Sequence, residues 1–136
     1  MPDYYFSTTV KMSFPEALEE AKEALKNQGF GVLREIDVKA ILKKKLDVEF
    51  RNYVILGACN PSFAYEALRL EDKIGTMLPG NVVVRETQDG RGEIAAGDPI
   101  ASMQAVRNSG LASVADQVAE KLKNAVRSIG NVPRGA

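Results

Sequence analysis

The sequence contains no histidine and only one cysteine among its 136 residues. The lack of histidine excludes zinc sites with histidine ligands and every mechanism that uses an imidazole as acid or base. A single cysteine excludes an internal disulfide and any metal site built from several thiolates. We therefore expect the protein to hold no metal and no cofactor.

The chain also lacks an excess of charge, because its 18 basic and 18 acidic side chains cancel. A neutral chain does not attract phosphate backbones over long range, which weighs against a nucleic-acid partner. The first five residues lack the basic start and apolar run of a secretion signal. No apolar run reaches the roughly 20 residues that span a bilayer. We expect a cytoplasmic protein that binds neither nucleic acid nor membrane.

Apolar residues recur with clear periods along most of the chain. Alternating or continuous apolar runs predict strands over residues 4–11, 30–36, 53–59, 82–84 and 92–96. Helical spacing predicts helices over residues 14–28, 38–46, 61–72 and 111–129. Residues 100–110 fit either a helical turn or a covering loop. This order predicts an α+β fold: one two-layer domain over residues 1–130, with a mixed sheet of about five strands and helices mainly on one face. Residues 131–136 are expected to form a flexible tail.

Two finer predictions concern residues 30–46. Alternation places three side chains on one face of the second strand: Phe30, Val32 and Ile36. Asp37 suits the N-cap of the following helix, whose apolar residues repeat at helical spacing. We expect four of them to face inward: Val38, Ile41, Leu42 and Leu46.

The rest of the chain is arranged around the stretch from Tyr53 to Pro61, which predicts a buried strand running directly into a helix. Asn60 is a good N-cap, and Pro61 suits the first helical position because its missing N–H costs nothing there. Cys59 is then the last residue of the strand. Alternation puts its side chain on the face of Tyr53, Ile55 and Gly57.

The position of Cys59 allows two interpretations. A thiolate directed at the free amides of a helix N-terminus is stabilised, which lowers the thiol pKa and makes the sulfur reactive. Alternatively, Cys59 is a small buried hydrophobe, since unpaired cysteine is among the most buried residue types. No histidine and no second cysteine accompany it, so protease-type chemistry is a poor fit.

Five further residues are candidates for a ligand site at the same end of the sheet. Asn60 has a structural explanation as a cap, and Asp98, before Pro99, is a turn former whose carboxylate could also line a pocket. The turn formed by Leu78, Pro79 and Gly80 could close over the strand end that carries Cys59. Crevices outside the carboxyl ends of strands are common ligand positions.

Several of these motifs together resemble the DUF302 family of small bacterial and archaeal domains of unknown function. They are Gly29-Phe30-Gly31-Val32, the 53–61 stretch ending in Ala-Cys-Asn-Pro, Leu78-Pro79-Gly80 before Val82-Val83-Val84, and Asp98-Pro99 before a long final helix. The resemblance implies a compact α+β domain, often a homodimer, with no assigned activity, and makes Cys59 the feature most suggestive of a site. It also implies a cysteine near position 80 in many members. Gly80 departs from that pattern, so two-thiol chemistry is unavailable to this chain.

Three functional hypotheses follow. The first is a dimeric module without catalytic activity that binds a small ligand or a partner in a crevice near Cys59. The second is a thiol-dependent enzyme or redox sensor that uses Cys59. The third is a structural or assembly component in which all of these residues only pack. The sequence contains no complete catalytic signature and favours the first.

Overall fold

A computed structural model describes residues 3–130; the predicted tail at 131–136 lies outside the described residues. The first half of the chain comprises β1 (Tyr5–Val10), α1 (Phe14–Asn27), β2 (Gly31–Asp37), α2 (Val38–Leu46) and β3 (Tyr53–Cys59). The second half comprises α3 (Pro61–Leu70), a 3-10 turn (Ile74–Met77), β4 (Gly80–Glu86), β5 (Gly92–Gly97), α4 (Pro99–Ser102) and α5 (Ser109–Gly130). Of the ambiguous residues 100–110, the first three belong to the short α4, residues 103–108 connect the two helices, and residues 109 and 110 begin α5. No helix in the described part is long and apolar enough to cross a membrane.

The five strands form one sheet in the order β1-β5-β4-β3-β2. The predicted α+β class and the five strands are confirmed, but the prediction of a mixed sheet is wrong, because every neighbouring pair is antiparallel. The chain runs from β1 through α1 to β2, which is the order found when a helix connects two parallel strands. However, β1 and β2 lie at opposite edges of the sheet with three strands between them, so they never pair.

Helices α1 and α5 cover one face of the sheet, as predicted, and the main core lies beneath them. The sheet contributes Val54, Leu56, Val82, Val84, Ile94 and Ala96, and the helices contribute Ala17, Ala21, Leu25, Leu122, Ala125 and Val126. Alternation along β3 therefore places Val54, Leu56 and Ala58 under the helices, as expected. The other residues of β3 and their pairing partners on β2 and β4 lie on the opposite face of the sheet, which we call the open face.

A bulge in β2 overturns the prediction for its inner face. The register with β3 shifts between Val32 and Arg34, so one residue is inserted and the alternation reverses beyond it. Val32 packs against the core, whereas Ile36 pairs with Ile55 on the open face. The same reversal turns Glu35 toward α1, where its carboxylate lies 2.8 Å from Lys22 Nζ.

The predicted inner stripe of α2 is only partly covered. Val38 and Leu42 are half-buried, but Ile41 is 44% and Leu46 is 65% exposed. Val48 and Phe50, which follow α2, are exposed to a similar extent. The chain thus leaves an apolar surface around α2 that its own elements do not cover.

Sheet and helix approach each other closely at Gly92 in β5. A Cβ atom at this position would lie 2.6 Å from Ala17 Cβ in α1. We predict that Gly92→Ala lowers the free energy of unfolding by about 1–3 kcal/mol, because overpacking forces the helix away from the sheet. Urea unfolding followed by circular dichroism measures the change.

Gly97→Ala in the same strand is the matched control. Its new methyl group would meet only the Asn81 carbonyl oxygen, at 3.5 Å, which is ordinary contact. We expect this variant to stay within about 0.5 kcal/mol of the parent. Equal stability of the two variants would contradict the close packing at Gly92.

Candidate functional site

A cavity of about 370 Å³ opens at one end of the sheet. The carboxyl end of β3, the amino end of β4 and the carboxyl end of β5 meet there, because antiparallel neighbours bring such ends to the same side. Helices α3, α4 and α5 close the cavity around these strand ends. Its wall is mainly apolar and includes Phe30, Phe63, Met77, Leu78, Met103, Val114, Val118 and Leu122.

All six residues that the sequence nominated line this one cavity: Cys59, Asn60, Leu78, Pro79, Gly80 and Asp98. They come from three separate segments of the chain. The register brings Ala58 opposite Gly80, and β5 then carries Gly97 and Asp98 to the same end. The structure thus brings the candidates together, and their role in ligand binding stays a prediction.

The junction of β3 and α3 forms as the sequence predicts. Asn60 has an extended backbone, and its Oδ1 accepts a hydrogen bond from the Phe63 N–H at 3.5 Å. The Ala64 N–H donates to the Asn60 carbonyl oxygen at 2.9 Å. Pro61 has no N–H. Of the first four residues of α3, only Ser62 retains a backbone N–H without one of these partners.

Because Phe63 and Ala64 already donate to Asn60, the start of α3 offers few free N–H donors to the sulfur of Cys59. Cys59 is half-buried, and it is a free cysteine. Burial raises its pKa, because the partly desolvated site disfavours the thiolate. The lowering of the pKa that a helix N-terminus would produce is therefore not found, and the role of Cys59 stays a prediction.

Asp98 occupies the corresponding junction between β5 and α4. Its backbone N–H donates to the Tyr4 carbonyl oxygen at 2.8 Å, and its Oδ1 accepts from the Ile100 N–H at 2.9 Å. Pro99 follows, as Pro61 follows Asn60. The second carboxylate oxygen of Asp98 has no hydrogen-bond partner among residues 3–130.

The Leu78-Pro79-Gly80 segment contributes to the wall of the cavity. Leu78 packs against a second, smaller apolar cluster built from Ala67, Ile74, Leu111 and Val114. Pro79, after a cis peptide bond, lies against Gly57 on the open face, where a Cβ atom would come within 3.0 Å of the proline ring. Gly57 therefore permits the close approach of Pro79 to β3.

Sequence reasoning missed the wall that α4 and α5 supply. Val114, Val118 and Leu122 line the cavity at successive turns of α5, and Met103 lines it from the turn after α4. Their helical spacing was visible in the sequence, but spacing alone does not distinguish a face packed on the sheet from a face beside a cavity. Residues 3–130 contain no group of three or more cysteine, aspartate or glutamate side chains that could hold a metal ion.

Fold and site together define an antiparallel α+β domain with an apolar cavity at the end of its sheet. The model of the family described as domain of unknown function DUF302 matches residues 6–129, and the chain belongs to that family. The chain is similar to the crystal structure of an uncharacterized conserved DUF302 protein from Bacillus stearothermophilus, with a TM-score of 0.86 and 27% sequence identity. The match covers 93% of this chain and 98% of that one. No functionally curated protein matches the sequence.

We predict that Cys59 ionises at a higher pH in the folded protein than in the unfolded chain. Because burial raises the pKa, the rate of alkylation by iodoacetamide should rise with pH around a midpoint above the free-cysteine value of about 8.5. The same measurement on the urea-unfolded chain should give that free value. Since the folded pKa is the higher one, the contribution of Cys59 to stability is complete below the unfolded pKa and is lost as the pH rises through the folded pKa.

Cys59→Ala serves as the control, because it removes the thiol and should abolish both the alkylation and this part of the pH dependence. A midpoint for the folded protein below that of the unfolded chain would mean that the thiolate is stabilised. Such a result would restore the hypothesis of a reactive thiol.

Proposed function

We propose that this DUF302 domain is a binding module without catalytic activity and that it takes a small, mainly apolar molecule into the cavity beside Cys59. The observation that carries the proposal is the convergence of three distant segments on one largely apolar cavity. Its volume falls within the range of about 300–1,000 Å³ that is common for small-molecule sites. An isolated packing defect of this size would instead destabilise the domain, because unfilled cavities cost free energy.

The cavity offers little support for the alternative of thiol-dependent catalysis. Its ionisable side chains are Tyr4, Cys59 and Asp98, and Tyr4 is 76% exposed. Burial raises the pKa of the thiol, which disfavours the thiolate, and among residues 3–130 no lysine, arginine or histidine lines the cavity to activate it. A mainly apolar wall with few ionisable side chains is compatible with the binding of a small apolar molecule.

The proposal is tested with the neutral fluorescent probe N-phenyl-1-naphthylamine and with a variant that fills the cavity. Ala64 in α3 lines the cavity, so Ala64→Leu should occupy part of its volume. We predict that the variant weakens probe binding about tenfold or more, which corresponds to about 1.4 kcal/mol. Native mass spectrometry of the purified protein would identify any molecule that the parent retains.

Ser62→Leu is the control, because it introduces the same side chain into the same helix at an exposed position outside the cavity. It should bind the probe like the parent. Circular dichroism establishes that both variants are folded. Failure of the folded parent to bind the probe, or equal binding by both variants, would contradict a ligand site in this cavity.

We further propose that a second copy of the chain covers the open face of the sheet. Ile55, Val83 and Ala95 are neighbours at the centre of this face and are only half-buried. The uncovered apolar surface around α2, with Ile41 and Leu46, adds to the area available. Apolar surface of this kind is commonly found at interfaces between subunits. The zero net charge of the chain does not oppose self-association.

The dimer has its own test. Sedimentation equilibrium at micromolar concentration should give twice the chain mass of 14.8 kDa for the parent. Val83→Glu should give a folded monomer, because it would bury a carboxylate at the centre of the interface. Ala112→Glu, at an exposed position on α5, should leave the dimer intact. A monomeric parent would refute the dimer, and a dimeric Val83→Glu would exclude this face as its interface.

A further inference from the structure

We infer that the cavity selects apolar molecules that carry an amine and discriminates against carboxylates and phosphates. This inference rests on the proposed function, since it assigns a chemical class to the ligand of the same cavity. It depends on which charges line the cavity and on which helix amides are already bonded.

The charges of the wall favour a cationic group. Asp98 carries the only carboxylate in the lining, and the wall contains no lysine or arginine within the described part of the chain. Arg34 packs over Gly57 beside Pro79, but it lies on the open face and does not line the cavity. An anionic ligand would therefore leave water without a cationic partner and would meet Asp98 at close range, which costs free energy.

Helix N-termini are the usual alternative for binding an anion, and α3 begins at this cavity. Its amides, however, are largely occupied. Asn60 accepts from Phe63 and Ala64, and Pro61 has no N–H to offer. The N–H of Ser62 alone does not make a phosphate or carboxylate site, because such sites use several convergent donors. At the start of α4, Pro99 has no N–H, and Ile100 and Ser102 donate to the side chain and the carbonyl oxygen of Asp98. Only the Ala101 N–H is left over there, so α4 also lacks several convergent donors.

The geometry of Asp98 supplies the acceptor for an amine. Its Oδ1 caps α4, which holds the carboxylate in place, while its second oxygen has no partner among residues 3–130. A protonated amine could form a charge-assisted hydrogen bond to that oxygen, which is roughly twice as strong as a neutral one. The apolar wall of Phe63, Met103 and Val118 would hold the rest of the molecule.

The test compares three molecules that share an eight-carbon chain: octylamine, octanol and octanoate. Each is used at pH 7 to displace N-phenyl-1-naphthylamine from the parent protein. We expect octylamine to bind about tenfold more tightly than octanol, and octanoate to bind more weakly than both. Asp98→Asn retains an oxygen for the cap and removes the charge, so it should abolish the preference for the amine over the alcohol.

Asp72→Asn is the control, because it removes a carboxylate from an exposed position outside the cavity and should preserve the order of affinities. Binding of octanol equal to or tighter than octylamine, tighter binding of octanoate, or an unchanged order in Asp98→Asn would overturn the amine preference and leave the ligand cavity intact. Failure of the probe and all three molecules to bind would overturn the proposed function and this inference together.

Discussion

The antiparallel pairing of β3, β4 and β5 is the constraint on which the site depends. Because neighbouring strands run in opposite directions, Cys59 at the end of β3, Gly80 at the start of β4 and Gly97 at the end of β5 lie at the same end of the sheet. Each of these strand ends connects to a different covering segment. The cavity exists because those segments meet around the strand ends without filling the space between them.

Two junctions of the same design limit the chemistry of this space. In each, a polar residue ends or follows a strand, caps the next helix through its side chain, and is followed by proline: Asn60-Pro61 and Asp98-Pro99. The caps stabilise the helices and at the same time consume the amide donors that would otherwise attract an anion or a thiolate. Burial raises the pKa of the Cys59 thiol, and the second carboxylate oxygen of Asp98 has no hydrogen-bond partner in the described part of the chain. These features favour recognition of an apolar, amine-bearing molecule over covalent chemistry.

The two faces of the sheet have different roles. The face under α1 and α5 holds the main core, and the close contact of Gly92 with Ala17 shows how tightly the layers fit. The opposite face carries half-buried apolar side chains beside the exposed residues of α2. The cavity lies among helices of the other layer, and Pro79 belongs both to its wall and to the open face.

Local patterns in the sequence determined much of this molecule. The strand from Tyr53 to Cys59, the cap at Asn60 and the long α5 follow from alternation, capping chemistry and helical spacing, which act over a few neighbouring residues. Tertiary structure alone decided the antiparallel order of the sheet, the bulge that turns Ile36 to the open face, and the side of α5 that lines the cavity. It also decided the protonation tendency of Cys59. These properties depend on which distant segments pack together and on which polar atoms then remain without partners, and no local period in the sequence encodes that.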